Sequence, residues 1–160
     1  MEYIEVKSII FKGKQNIPWA DVERYLGKYE GQVIRVKETG DEIRINALFS
    51  DEYVHSQYTR KLRGALAKVK ANIVQIIPEL VENGVNRRWS ENKESKHSEN
   101  AKKGWYRYDS FFSVRVYEQN SEEYRLNYYC ATIIVRINDT GKYLYDIINI
   151  KKEARKPTDC

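Results

Sequence analysis

The last third of the chain constrains the fold more than any other part. Three runs rich in β-branched and aromatic residues, Trp105 to Tyr117, Tyr124 to Ile137 and Tyr143 to Lys151, are joined only through Gln119-Asn120-Ser121 and Asn138-Asp139-Thr140-Gly141. Parallel neighbours need a crossover of a dozen residues or more, so connections this short dictate an antiparallel meander.

Successive side chains of a strand point to opposite faces, so parity assigns each residue a side. Phe112, Val114 and Val116, then Ala131, Ile133, Val135 and Ile137, then Leu144, Ile148 and Ile150 form the expected core side. Arg107, Ser113 and Arg115 fall on the other face, with Tyr128, Cys130, Thr132 and Arg136, and with Tyr143, Tyr145 and Asn149. The outer face of an antiparallel sheet is ordinarily polar and solvated. This one is distinguished by residue type, because Arg and Tyr bind phosphate and take part in proton transfer where Lys and Glu would suffice for solubility.

Upstream, Tyr3 to Phe11 reads as a strand ended by Lys12-Gly13-Lys14. Asn16 to Asp21 reads as a capped helix start carrying Trp19, Val22 and Leu26 at helical spacing, with Gly27 or Gly31 closing it. Gln32 to Val36 and Glu42 to Leu48 flank Thr39-Gly40-Asp41 as a hairpin. From Tyr53 to Pro78 no acidic residue occurs, while Arg60, Lys61, Arg63, Lys68 and Lys70 accompany Leu62, Leu66, Val69, Ile73 and Ile77 at intervals of three and four. That pattern predicts a basic amphipathic helical region over 56–84, kinked or divided at Pro78 and stopped at Asn83-Gly84. Residues 88–104 are polar and without period, and read as a long exposed basic loop.

The expectation is one α+β domain over residues 1–153, with helices packed on a curved antiparallel sheet. Its parts are a strand, helix and hairpin over 1–50, helices over 56–84, the basic loop 88–104 and the sheet 105–151. Residues 154–160 read as a frayed basic tail, as at a point of excision from a longer protein or at a natural end.

Charge and composition narrow the function classes. The formal net charge of +5 and pI near 9.1 favour phosphate-rich partners. The placements of Cys130 and Cys160 do not suggest a disulfide framework, and neither a signal peptide nor a stretch of membrane-spanning length is visible, so a reducing compartment, the cytoplasm, is the expected location and no membrane the expected partner. Zinc-finger spacing, the His-Glu-x-x-His helix, the phosphate-binding Gly-rich loop, the nucleophile elbow and the dinucleotide fingerprint are all missing, so neither metal nor cofactor is expected. An imidazole acid or base must be His55 or His97. His97 sits in the basic loop just before the sheet, while His55 precedes the basic helix and reads as a surface or capping residue.

The stretch from Lys96-His97-Ser98 through Lys102-Lys103-Gly104-Trp105-Tyr106-Arg107-Tyr108, followed by Tyr143-Leu144-Tyr145-Asp146 to Glu153, resembles a phage- and mobile-element-associated domain of the large polyvalent-protein-associated group. Asp51 to Thr59 and the helix after it look like the same group, so the resemblance spans roughly residues 30–153. Such domains are similar to the barnase, EndoU, colicin and RelE-like nuclease superfamily, in which helices precede a curved antiparallel sheet and one sheet face cleaves RNA. The resemblance implies a metal-independent endoribonuclease, an effector or toxin that acts in a bacterial cytoplasm or arrives with a phage particle. It implies His97 as general base or acid, Arg107 and Arg115 on the pentacoordinate phosphate, and Thr132 with Tyr145 orienting or protonating the reacting oxygens. Attack by the ribose 2′-hydroxyl would need no metal and no cofactor. RNA would be held by Arg60, Lys61, Arg63, Lys96, Lys103 and Arg136, and an immunity or phage structural protein is a further expected partner. One departure stands out: no partner carboxylate is clearly placed on the polar face. The competing expectations are a non-catalytic nucleic-acid- or virion-binding module built on the basic helix, and a host-directed inhibitor that binds through exposed tyrosines and arginines.

Overall fold

The computed structural model describes residues 3–13, 15–93 and 100–153. In chain order these form β1 (Ile4–Val6), α1 (Trp19–Leu26), β2 (Val33–Arg35), β3 (Glu42–Arg44), α2 (Phe49–His55), α3 (Gln57–Lys61), α4 (Gly64–Asn72), α5 (Ile77–Glu82), β4 (Val85–Ser90), β5 (Trp105–Tyr117), β6 (Tyr124–Asn138) and β7 (Gly141–Glu153). A 3-10 turn, Gly27–Tyr29, follows α1, and another, Ile73–Ile76, divides α4 from α5, which carries Pro78 in its first turn.

The antiparallel meander required by the short C-terminal turns is present as β5–β6–β7, running from Trp105 opposite Arg136 to Tyr117 opposite Tyr124 on one side and from Asn138 opposite Gly141 on the other. The sheet does not end with these three strands. β1 lies parallel to the second half of β5 and β4 antiparallel to its first half, while β3 lies parallel to the start of β7 and carries β2 outside it. The result is an α+β fold in which helices pack on a strongly curled mixed sheet, a half-barrel. The parallel pairings arise because β1 and β3 reach the edges through long intervening chain, a connection that parallel neighbours require and the meander lacks.

The main core joins Phe112, Val114, Ala131, Ile133, Val135, Leu144 and Ile150 of the sheet to Val22, Leu26, Ile73, Ile77 and Leu80 of the helical layer. Ile148 departs from its expected side, since it packs with Ile134 and Tyr145 on the opposite face while Ile147 enters the core. The cause is a bulge: Val135 faces Leu144 but Ile134 faces Asp146, so β7 gains one residue and its parity inverts. A second irregularity, spanning Asn149 at φ 54°, returns Ile150 to the core.

The basic helical region is shorter in its pieces than the periodicity predicts. Leu62 and Arg63 adopt extended backbone and Gly64 sits at φ 64°, a conformation that a side chain disfavours, so α3 and α4 are separate helices. Two elements lie outside the sequence expectation. α2 is brief and is held by burial of Phe49, Tyr53 and Val54, and β4 is an exposed edge strand held by its ladder with β5. The loop expected over 88–104 therefore begins three residues inside β4, and Ala101 within it is buried.

Within α4, Lys70 faces inward and not toward solvent. Its Nζ donates to Asp146 Oδ1 at 2.7 Å, while Ser56 Oγ donates to Oδ2 at 2.6 Å and the Ile147 amide to Oδ1 at 2.8 Å. Both charged side chains are almost wholly buried, at 1% and 0% exposure. Burial pushes the Lys70 ammonium down and the Asp146 carboxyl up from their ordinary values, and their mutual attraction opposes both shifts.

A second buried carboxylate, Asp41, fastens the β2–β3 turn to the sheet. It accepts from Thr39 Oγ1 at 2.6 Å, Tyr108 Oη at 2.7 Å and Arg87 Nη1 at 2.8 Å, and lies 3.1 Å from Lys142 Nζ. Burial alone would raise its pKa, but the four donors together outweigh burial and hold the carboxyl well below the usual carboxylate range.

Two outcomes follow from these clamps. Asp146→Ala should cost about 3–5 kcal/mol in urea unfolding because it leaves Lys70 buried and unpaired, whereas Lys70→Met with Asp146→Leu should recover most of that loss. Equal instability of the single and double variants would contradict it. Asp41 has a depressed folded pKa, so its stabilisation is complete above the unfolded value near ~3.9 and drains as pH falls below it. Acid unfolding of Asp41→Asn should accordingly begin from a lower stability at pH 7 and decline less steeply below pH ~4 than that of the unsubstituted protein.

Candidate functional site

The second face of the sheet carries two adjacent cross-strand rows. Ser90, Trp105, Arg136 and Tyr143 occupy one, and Arg88, Arg107, Ile134 and Asp146 the next. Between these rows and α3 lies a cleft of about 180 Å³. The sheet contributes Trp105, Arg107, Ile134 and Tyr145 to it, α3 contributes Gln57 and Tyr58, and the chain leaving β4 forms the rim with Ser90, Glu91, Asn92 and Lys93.

Local structure explains each placement. Tyr145 is the extra residue of the β7 bulge, and its ring meets Trp105 at 5.2 Å with planes inclined by 60°. Burial first, then the negative neighbours Asp146 and Glu52, pushes the Tyr145 phenol up to about 12, so it stays protonated at neutral pH. Arg107 is braced by Nη1 donating to Ser90 Oγ at 2.8 Å, and Trp105 Nε1 donates to Asn92 Oδ1 at 3.3 Å. Beneath this floor runs the buried pair: Asp146 follows Tyr145 directly, and Ser56, which donates to it, precedes Gln57. The Ser56–Asp146 hydrogen bond therefore ties the start of α3 to β7 beside the cleft.

Of the residues proposed from sequence, Arg107 and Tyr145 meet in this cleft. Thr132 shares their face, opposite Asp109 and Ile148, but sits one repeat farther along the strand. Arg115 shares the parity of Arg107 yet lies eight residues away on β5, about 27 Å along an extended chain. There it pairs with Glu5 and Tyr117 and covers the Tyr124 ring at 4.3 Å. Arg136, expected to meet RNA, is 1% exposed and donates from Nη1 to Glu52 Oε1 at 2.5 Å, which fastens α2 to the sheet. Lys103 pairs with Asp139 at 3.4 Å by the β6–β7 turn. Arg60, Lys61 and Arg63 are exposed on and after α3, the helix whose first residues wall the cleft. His97 and Lys96 lie outside the described residues. His55 is exposed and contacts Asp51.

Glu91 and Tyr58 are among the cleft residues that strand parity could not single out, and Trp105, which shares the parity of Arg107, was not proposed. Glu91 and Tyr58 come from segments that carry no strand alternation, and only the packing of α3 and the exit from β4 brings them to Arg107. Glu91 brings a carboxylate to the cleft rim, whereas on the sheet face itself Asp109 is paired with Arg88 and Asp146 is buried against Lys70.

No protein-family model, curated protein or solved structure matches the chain.

The two arginines of the second face should separate cleanly in unfolding experiments. Arg136→Ala strands the largely buried Glu52 and should cost about 3–5 kcal/mol, while Arg107→Ala should change stability by less than about 1 kcal/mol. A comparable loss in both would mean that Arg107 is a structural residue.

Proposed function

We propose that the cleft binds one nucleotide of an RNA strand and cleaves the adjoining phosphodiester without a metal ion. The observation that carries this reading is the meeting of Arg107 and Tyr145 with the Trp105 ring in a single cleft, with Glu91 and Lys93 on its rim. Arg107 and Lys93 supply fixed positive charge for the phosphate, and Trp105 with Tyr58 offers aromatic surface for an unstacked base. In the reaction the ribose 2′-oxygen bonds to phosphorus as the bond to the 5′-oxygen breaks. The Glu91 carboxylate takes the 2′-hydroxyl proton, and the Tyr145 phenol gives its proton to the departing 5′-oxygen, which leaves as a hydroxyl. His97 keeps the acid or base role implied by the resemblance and forms a separate arm of the test.

The size of the cleft supports a single-stranded substrate, since a base in an A-form duplex would have to leave its stack to enter. The net charge of +5 and the exposed Arg60, Lys61 and Arg63 support attraction of the flanking backbone. An effector or toxin of phage or mobile-element origin, acting in a bacterial cytoplasm, is the biological setting that goes with this chemistry. No helix among the described residues is long and apolar enough to cross a membrane.

Incubation with single-stranded RNA in EDTA should give products ending in 2′,3′-cyclic phosphate. Arg107→Ala and Glu91→Gln should each slow cleavage at least ~100-fold, and His97→Ala reports whether the imidazole shares the proton transfer. RNA that stays intact would sink the catalytic reading. Salt-sensitive binding lost on charge reversal of Arg60, Lys61 and Arg63 would then mark a non-catalytic nucleic-acid-binding module.

A further inference from the structure

Outside the cleft, one group of side chains joins donors from two helices that are far apart in sequence. Asp51 and His55 stand four residues apart on α2, one above the other on the same helical face. α1 packs against α2 and brings Glu23 to the same spot. His55 Nδ1 lies 3.0 Å from Asp51 Oδ1 and 3.9 Å from Glu23 Oε1, and the three donor atoms all fall within 4.8 Å of one another.

We propose that Glu23, Asp51 and His55 bind a first-row divalent metal ion, with zinc as the best fit. Ligand bonds of about 2.0–2.2 Å in a tetrahedral site separate neighbouring donor atoms by about 3.3–3.6 Å, a range bracketed by the two imidazole–carboxylate distances. All three side chains are partly exposed, at 36–68%, so closing the remaining gap takes only rotamer adjustment. Charge points the same way. Among the described residues neither Glu23 nor Asp51 forms an ion pair with Lys or Arg, although the chain carries an excess of five basic residues. Nearby Arg24 is paired with Asp21 instead. Two carboxylates thus converge on an imidazole nitrogen, a donor set of one nitrogen and two oxygens that suits zinc and its neighbours and leaves a position for water.

The ordinary alternative is a hydrogen bond from His55 Nδ1, which lies 3.2 Å from the Asp51 carbonyl oxygen and 3.0 Å from its carboxylate, a surface contact worth little. A metal ion would instead cross-link α1 to α2, the helix whose Glu52 holds the buried Arg136. None of the three residues lines the cleft, and the reaction proposed there proceeds in EDTA, so the two ideas fail separately.

Isothermal titration of the chelator-treated full chain with zinc chloride should show one ion per chain at this site, together with a raised melting temperature. His55→Ala should abolish both effects, and Glu23→Gln should weaken binding at least ~10-fold. His97→Ala should leave both unchanged. Cobalt(II) should give the intense visible absorption of a four-coordinate site, absent in His55→Ala. A chain that binds no zinc, or a His55→Ala variant that binds as tightly as the unsubstituted protein, would overturn the proposal. Because the three residues are exposed, circular dichroism of the variants should match the parent, and retained fold with retained binding counts against the site.

Discussion

The buried contact between Lys70 and Asp146 is the constraint on which the rest of the arrangement depends. Taking two charges out of water is unfavourable, and only a short, fully hydrogen-bonded contact offsets it. Asp146 satisfies that demand with three donors, the ammonium of Lys70, the hydroxyl of Ser56 and the amide of Ile147. These partners lie on α4, at the α2–α3 corner and on β7, so the contact fixes the helical layer against the sheet at one register. It also requires the β7 bulge, which sets Asp146 level with Ile134 and turns Tyr145 into the cleft.

Two further polar clamps extend the same logic. Asp41 draws β4, β5 and β7 to the β2–β3 turn through Arg87, Tyr108 and Lys142, and Arg136 draws α2 onto the second face through Glu52. Apolar packing between these layers would tolerate sliding, whereas a charge with one acceptable partner does not. In this protein the clamps select one of many similarly greasy packings, and the cleft appears where two of them hold α2, α3 and the sheet apart by a set amount.

Much of the fold was legible in residue pattern. The meander followed from turn length, the core face of β5 from alternation, and the division of the helices near Pro78 from backbone chemistry. Side-chain parity also found Arg107 and Tyr145, but it reports only which face a residue occupies. Arg115 has the right parity and lies far along the strand, and Arg136 has the right parity but is sealed beneath α2. Glu91 and β4 left no periodic trace, because an exposed edge strand is held by main-chain bonds that any sequence can make.

The amino-acid sequence by itself determined the antiparallel order of the last three strands, the sidedness of most of their residues, and the basic character of the surface, because those depend on neighbours along the chain. The tertiary structure alone decided the parallel edge pairings, the inward turn of Lys70, the inverted parity after Tyr145, and the gathering of Glu91, Arg107 and Trp105. Each of those turns on a contact between residues distant in the chain, whose energy appears only after folding has brought them together and removed the water between them.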